Sequence, residues 1–276
     1  MPVRRSRLRT RRRLRPQSLA RLMPNLITVL ALCAGLTGIQ FALQGHWRNA
    51  VLAIMASAVL DASDGRLARL LNSSSRFGAE LDSLSDVISF GVAPAVILYV
   101  WTMNTAGTLG WALVLLYCVC VALRLARFNT ALDDPAPLPF AHRFFTGVPA
   151  PAGAGLVLLP MTLSFQEQIG PDFLQHWLPN GIVLVTVAFL LVSRVPTFSF
   201  KRVRVPPRAV LPVLLLGALT AAFLVGVPWA TLSVIGLVYA ATIPFSLIAH
   251  RRAVAAHMGA ATDEPHADEA HDQKVQ

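Results

Sequence analysis

The chain has 276 residues, of which 55% are hydrophobic and only 14% are charged, and its mean hydropathy is +0.58. This composition excludes an ordinary soluble globular domain, because such domains carry about 25% charged residues. The formal net charge of +10 would suit nucleic-acid binding. In so apolar a chain, however, we attribute it to membrane topology and to attraction by anionic lipid headgroups, and we expect no nucleic-acid partner.

Apolar runs near the spanning length of about 20 residues recur along the chain. They are too long and too uniformly apolar for membrane β-strands, so we predict an all-α, polytopic membrane bundle of about eight transmembrane helices. The bundle forms one domain, residues 22–252, between a basic arm at 1–21 and a tail at 253–276 that we expect to be disordered. The predicted spans cover residues 26–43, 49–65, 86–102, 107–125, 149–165, 180–194, 209–226 and 229–248.

The basic residues give an independent test of this span count. With eight spans both termini lie on one side of the membrane, and of the 24 lysine and arginine residues only Arg48 falls on the other side. The positive-inside rule therefore predicts that both termini and the loops at 66–85, 126–148 and 195–208 are cytoplasmic.

Four aspartates interrupt the apolar pattern where the second predicted span ends and the third begins. Asp61 and Asp64 are three positions apart and Asp82 and Asp86 are four apart, so each pair shares a helix face. Ionisable groups beside the hydrocarbon are unfavourable and mark functional sites. A proton or cation pathway is one alternative, although the spans from 180 to 248 contain no acidic residue. A purely structural role is another.

The residue types in this window favour a metal-bound diphosphate. Carboxylates without a neighbouring histidine or cysteine suit hard ions such as Mg²⁺ or Mn²⁺, and four of them carry enough charge for two ions about 4 Å apart. Arg66, Arg69 and Arg76 suit phosphate oxygens, although each would equally serve as a cytoplasmic anchor. Gly65 and Gly78 lack side chains, so backbone or ligand can approach them closely.

The window also resembles the signature of the CDP-alcohol phosphatidyltransferase family, D-x2-D-G-x2-A-R-x8-G-x3-D-x3-D. Family members are integral membrane enzymes that transfer a phosphatidyl or related group from a CDP-linked donor to an alcohol and release CMP. The resemblance implies the same fold and reaction type for this chain. Every fixed position of the signature is matched, by Asp61, Asp64, Gly65, Ala68, Arg69, Gly78, Asp82 and Asp86.

The resemblance further implies a role for each site residue. Asp61, Asp64 and Asp82 would hold the two divalent metals, and Asp86 would help bind the second metal and take the proton from the acceptor hydroxyl as the catalytic base. Asn25 and Thr28, at the start of the first span, would line the nucleotide pocket, although a plain helix N-terminus explains them equally well. The residues implied to bind CDP-diacylglycerol are Asn25, Thr28, Gly65, Arg69, Ser75 and Gly78.

The fixed motif does not select the acceptor alcohol, but segments outside it resemble the bacterial family members that use L-serine. These segments are residues 81–94, 124–129, 145–151 and 193–201. They imply transfer of the phosphatidyl group of CDP-diacylglycerol to the hydroxyl of L-serine, giving phosphatidylserine and CMP at the cytoplasmic face of the bacterial inner membrane. Glycerol 3-phosphate and inositol phosphate remain alternative acceptors, and the family resemblance suggests a homodimer.

The acceptor site is expected at the end of the fourth span. Serine is a zwitterion, so its pocket needs a cation for the carboxylate and a hydrogen-bond acceptor for the ammonium. Arg124, Arg127 and Asn129 lie at the predicted cytoplasmic end of that span and are our candidates for acceptor binding. The same arginines would also suit a phosphate-bearing acceptor, or would serve only as anchors.

Overall fold

The computed structural model describes residues 19–71, 73, 75–132, 144–166, 171–193, 196–198 and 209–244. The predicted tail and most of the basic arm lie outside these residues, as do large parts of the loops predicted at 126–148 and 195–208. A π-helical turn, Val87–Val92, joins α3 to α4, and a 3₁₀ turn, Met103–Ala106, precedes α5. The α-helices of the described chain are α1 Leu19–Leu43, α2 Trp47–Leu70, α3 Arg76–Asp86, α4 Ala93–Trp101, α5 Gly107–Leu132, α6 Ala150–Val157, α7 Leu159–Ser164, α8 Pro171–Leu174, α9 Trp177–Val192, α10 Val210–Gly226 and α11 Pro228–Pro244.

The helices bear out the prediction of a multi-pass helical membrane bundle. Three helical segments, Leu22–Leu43, Arg76–Trp101 and Met103–Thr130, are long and apolar enough to cross a membrane. Three shorter apolar helices, α9, α10 and α11, accompany them. Each of the eight predicted spans falls mainly on helical residues. The number of membrane crossings and the cytoplasmic position of both termini stay predictions.

The element boundaries differ from the predicted ones in two places. The third span is the C-terminal part of a continuous helical segment that begins at Arg76 rather than at 86. Hydropathy misses the first half because α3 carries acids and serines on one face. The fifth predicted span is divided at Leu158 into α6 and α7, where Pro160 removes a backbone donor.

A small strand pair departs from the all-α prediction. Strands β1, Phe144–Thr146, and β2, Pro196–Phe198, pair antiparallel with Phe144 opposite Phe198. The pair ties the segment before α6 to the segment after α9.

A tight helical hairpin of α1 and α2 positions the first half of the site. Gly45, with φ of +74°, makes the left-handed turn that reverses the chain between the two helices. Gly38 lets the helices approach closely, because a Cβ there would lie 3.2 Å from the carbonyl oxygen of Ala50. Ser57 on α2 donates a 2.8 Å hydrogen bond to the carbonyl of Ala31 on α1. The hairpin therefore places the end of α2 beside the start of α1.

The π-helical turn after α3 is held from two sides. The buried Tyr117 hydroxyl of α5 donates to the carbonyl of Phe90 at 2.9 Å. On the other side, Ser89 packs against Gly35 of α1 so closely that a Cβ on Gly35 would lie 2.6 Å from the Ser89 Oγ. Because π-turns interrupt the regular helical ladder and often occur at functional sites, this anchoring fixes the position of Asp86, the last residue of α3.

Candidate active site

Carboxylates from α2 and α3 converge at one place. Asp61, Asp64 and Asp82 each contribute one carboxylate oxygen to a group whose members lie within 4.8 Å of one another. Asp61 is also within side-chain hydrogen-bonding range of Asp86. The helical spacing of the two pairs and the packing of both α2 and α3 against α1 thus bring all four aspartates to one site, which we call the aspartate cluster.

Thr28 links the cluster to α1. Asp64 is only 4% exposed, and its Oδ2 accepts a 2.6 Å hydrogen bond from the Thr28 hydroxyl. The Ser85 hydroxyl of α3 donates in turn to the backbone carbonyl of Thr28 at 3.3 Å. Thr28 therefore supports a carboxylate of the cluster and connects all three helices that build it.

The donor set of the cluster fits divalent cations. Like-charged carboxylates this close, and partly removed from water, repel one another unless cations neutralise them. Their oxygens are hard ligands of the kind that Mg²⁺ and Mn²⁺ prefer. Asp61, Asp64 and Asp82 are the residues that can hold a metal together, because each offers an oxygen to the same small volume.

Asp86 and Arg124 leave polar atoms open beside the cluster. The Oδ1 of Asp86 and the Nε of Arg124 are both buried, and within the described chain neither has a hydrogen-bond partner. The two side chains interact electrostatically. Because buried polar atoms are nearly always paired in folded proteins, these two atoms are candidates for binding a ligand beside the cluster.

The candidate donor-binding residues surround the N-terminus of α3 and the end of α2. Ser75 caps α3 by accepting a 3.0 Å hydrogen bond from the backbone nitrogen of Gly78. A Cβ on Gly78 would lie 2.8 Å from the Asn25 Oδ1, so Gly78 packs directly on Asn25. Gly65, in contrast, has only open space where its Cβ would be. The exposed Arg69 donates its Nε to the carbonyl of Gly65 at 3.0 Å.

The structure separates the three candidate acceptor residues. Arg124 lies beside Asp86, as described above. Asn129 donates its Nδ2 to the hydroxyl of Ser83 at 2.9 Å, one position from Asp82 on α3. Arg127 donates its Nη1 to the carbonyl of Val192 at the end of α9, also at 2.9 Å. Arg124 and Asn129 therefore contact the acid-bearing helix, whereas Arg127 links α5 to α9.

One polar residue near the site was not predicted from the sequence. The hydroxyl of Tyr239 on α11 is buried, has no hydrogen-bond partner among the described residues, and interacts electrostatically with Arg124. The available signal was weak: Tyr239 is a lone tyrosine in an otherwise apolar predicted span. Nothing in the local spacing connects it to the aspartates.

Comparison with known proteins defines the class of this fold and site. The family model described as CDP-alcohol phosphatidyltransferase matches residues 21–192, and a second model, CDP-alcohol phosphatidyltransferase 2, matches residues 208–244. The chain therefore belongs to the CDP-alcohol phosphatidyltransferase family, as its aspartate signature predicts.

Several relatives carry a more specific name, CDP-diacylglycerol–serine O-phosphatidyltransferase. The protein of that name from Mycobacterium leprae is 43% identical over 262 residues, which cover 94% of this chain and 84% of the relative. The Mycobacterium tuberculosis protein is 42% identical over 248 residues, covering 88% of this chain and 84% of the relative. The Bacillus subtilis protein is 38% identical over 181 residues, covering 65% of this chain and 92% of the relative.

Proposed function

We propose that this protein transfers the phosphatidyl group of CDP-diacylglycerol to the hydroxyl of L-serine, producing phosphatidylserine and CMP. The observation that carries the proposal is the convergence of four signature aspartates on one site of a membrane helical bundle. The names of the relatives favour serine as the acceptor.

We propose two Mg²⁺ or Mn²⁺ ions as the cofactors. Asp61, Asp64 and Asp82 would hold them, and Asp86 would complete the coordination of the second. When bound, such ions neutralise the cluster and stabilise the charge that develops on the diphosphate oxygens as CMP leaves.

Asp86 takes the acceptor proton in this mechanism. An alcohol is a weak nucleophile, and a carboxylate within hydrogen-bond reach accepts its proton as attack proceeds. The serine oxygen forms a bond to the phosphorus of the phosphatidyl group, the bond from that phosphorus to the oxygen of CMP breaks, and the hydroxyl proton passes to Asp86. The unpartnered Oδ1 of Asp86 supports this assignment.

The donor is held by its headgroup, while its diacylglycerol tails stay in the bilayer. Gly65 and Arg69 line one side of the CDP site, and the other side is formed by Asn25, Thr28, Ser75 and Gly78. The open space at the Cβ position of Gly65 supports this arrangement, because no described residue occupies it. Thr28 acts through Asp64, whose orientation it maintains.

Arg124, Arg127 and Asn129 are our proposed acceptor-binding residues. For Arg124 and Asn129 the proposal is supported by their contacts with α3, and for Arg127 by the sequence resemblance alone.

We also propose a catalytic domain spanning 22–252, an active site at the cytoplasmic face of the bacterial inner membrane, and a homodimer. The arginines around the aspartate window support the cytoplasmic position of the active site, because basic residues concentrate in cytoplasmic loops.

An assay of CMP release tests the function. The purified protein is incubated with CDP-diacylglycerol, Mn²⁺ and one alcohol at a time: L-serine, glycerol 3-phosphate or inositol phosphate. We expect CMP and phosphatidylserine with serine only. Release with another alcohol would overturn the serine assignment, and no release with any of them would overturn the enzymatic function and favour cation or proton transport.

A further inference from the structure

We propose that the Tyr239 hydroxyl belongs to the acceptor subsite, where Tyr239 and Arg124 together bind the carboxylate of the amino-acid acceptor beside Asp86. This inference deepens the proposed function and rests on it. It assigns a binding role to the last described helix, α11, which lies outside the aspartate signature and outside the first family match, at residues 21–192.

The orientation of α11 about its own axis is set by one of its faces. This face packs on α7 and on the turn that follows α7. Trp229 stacks edge-to-face on Phe165, with ring centroids 4.8 Å apart. One turn further, Ser233 accepts a 3.0 Å hydrogen bond from Gln166. At the next turn, Gly236 approaches Leu159 so closely that a Cβ would lie 2.8 Å from its Cδ1.

These contacts recur every three or four residues, so they occupy a single helix face. Tyr239 follows Gly236 by three positions and precedes the buried Ile243 by four, which places it on the same inward face. The packing of α11 on α7 thus directs Tyr239 into the bundle and not towards lipid.

Three buried polar groups are then connected through Arg124, which interacts electrostatically with Asp86 and with Tyr239. They are the Oδ1 of Asp86, the Nε of Arg124 and the hydroxyl of Tyr239, and in the described chain each lacks a hydrogen-bond partner. Leaving such groups unpaired is unfavourable, and an unpaired arginine nitrogen that is accompanied by two further unpaired groups indicates a site that binds a ligand.

The chemistry of these atoms matches a hydroxy acid. Arg124 and Tyr239 supply two donors, one of them cationic, which suit the two oxygens of a carboxylate. Asp86 supplies an acceptor for the hydroxyl that reacts. L-serine carries both groups on a three-carbon frame, so its carboxylate would be held by Arg124 and Tyr239 while its hydroxyl meets Asp86.

The ring of Tyr239 has room on one side. It borders an apolar cavity of about 280 Å³ between α2, α6 and α11, with Ile54 and Phe90 among the other lining residues. A Tyr239→Phe substitution, which removes one oxygen and keeps the ring, should therefore preserve the packing of α11.

The first test compares the kinetics of Tyr239→Phe with those of Tyr99→Phe. Tyr99 is the matched control, because its ring packs on Trp111 of α5 away from the cluster. In Tyr239→Phe we expect the KM for serine to rise about tenfold, as for loss of a hydrogen bond to a charged group. The KM for CDP-diacylglycerol should stay unchanged in both variants.

The carboxylate contact itself is tested with serinamide, which lacks the negative charge. The preference of the wild-type protein for serine over serinamide should fall about tenfold in Tyr239→Phe and stay constant in Tyr99→Phe. An unchanged serine KM and an unchanged preference in Tyr239→Phe would overturn the inference while leaving the proposed function intact. Absence of wild-type activity with serine would overturn both.

A binding measurement covers the case in which Tyr239→Phe does not fold. The chain has 3 tyrosines, so protein labelled with 3-fluorotyrosine gives three ¹⁹F resonances, which Tyr99→Phe and Tyr117→Phe assign by elimination. With Mg²⁺ and CDP present, saturating L-serine should shift the Tyr239 resonance, whereas serinamide should not. A Tyr239 resonance that does not respond to serine would contradict the proposal.

Discussion

The hydroxyl of Thr28 on α1 donates a 2.6 Å hydrogen bond to the carboxylate of Asp64 on α2. Asp64 is a proposed metal ligand and is almost completely buried, so its orientation depends on this bond. Removal of a residue that orients a metal ligand typically lowers the affinity for the metal by about 10- to 100-fold.

We therefore predict that Thr28→Val raises the Mn²⁺ concentration needed for half-maximal activity by about tenfold or more. Valine keeps the shape of the side chain and removes only the donor. Thr37→Val is the control, since Thr37 lies on the same helix and its hydroxyl bonds only to the carbonyl of Cys33, at 2.7 Å, among its described contacts. A Thr28→Val protein with wild-type metal dependence would show that Thr28 does not support the metal site.

Asp86→Asn should abolish turnover while largely preserving the binding of CDP-diacylglycerol. The amide has nearly the shape of the carboxylate but cannot accept the proton, and loss of a general base lowers rates by about 10²- to 10⁴-fold. CMP release measures the rate, and equilibrium binding of labelled CDP-diacylglycerol measures the affinity. Glu80→Gln, an exposed acid on the same helix, should behave as wild type. Substantial turnover by Asp86→Asn would remove Asp86 from the base role.

The two signature glycines should respond differently to alanine. At Gly65 a Cβ meets open space, so Gly65→Ala should keep or slightly raise the melting temperature, because alanine favours the helix by about 1 kcal/mol. It should nevertheless raise the KM for CDP-diacylglycerol, because the methyl group occupies the proposed donor site. An unchanged KM would argue that Gly65 does not contact the donor.

Gly78→Ala should instead lower the melting temperature. Its Cβ would lie 2.8 Å from the Asn25 Oδ1 and 3.2 Å from the Ser75 Oγ, so either the Asn25 side chain must turn away or α3 must shift from α1. Thermal unfolding in detergent, with Gly65→Ala measured in parallel, checks this. Equal melting temperatures for the two variants would contradict the close packing of α3 on α1.

Arg124→Gln should raise the KM for serine far more than Arg127→Gln does. Arg124 is partly buried beside Asp86, and loss of its charge removes a charge-assisted bond worth about tenfold or more in affinity. Arg127 is exposed and already bonded to the carbonyl of Val192, so we expect a smaller effect. Serine titrations at saturating CDP-diacylglycerol compare the two, and equal effects would mean that Arg127 also reaches the acceptor.

Much of the fold could be predicted because the relevant signals are local. Runs of apolar residues indicate helices in a membrane whatever they pack against, and the described residues of seven of the eight predicted spans lie mainly on single helices or on one continuous helical segment. The early start of α3 at Arg76 escaped prediction because charged and serine side chains lower the hydropathy of its first half, although the segment is helical. The β1–β2 pair was not predictable from local signals, because its two strands are distant in the chain.

The aspartate cluster was predictable for a different reason. Asp61, Asp64, Asp82 and Asp86 are close in sequence, and helical periodicity alone places each pair on one face. The partners of the cluster were harder to find. Arg124 was a candidate only as one of several cations at a helix end, and the position of Tyr239 follows from the packing of Gly236 on Leu159.

By itself, then, the sequence determined the membrane class, the hard-ligand chemistry of the site and the family, because composition and short-range spacing carry that information. Only the tertiary structure decided which side chains accompany those ligands: Thr28 donates to Asp64 from a position 36 residues away, and Arg124 interacts with both Asp86 and Tyr239. Those relationships arise where helices pack closely, and close packing depends on the shapes of both surfaces at once.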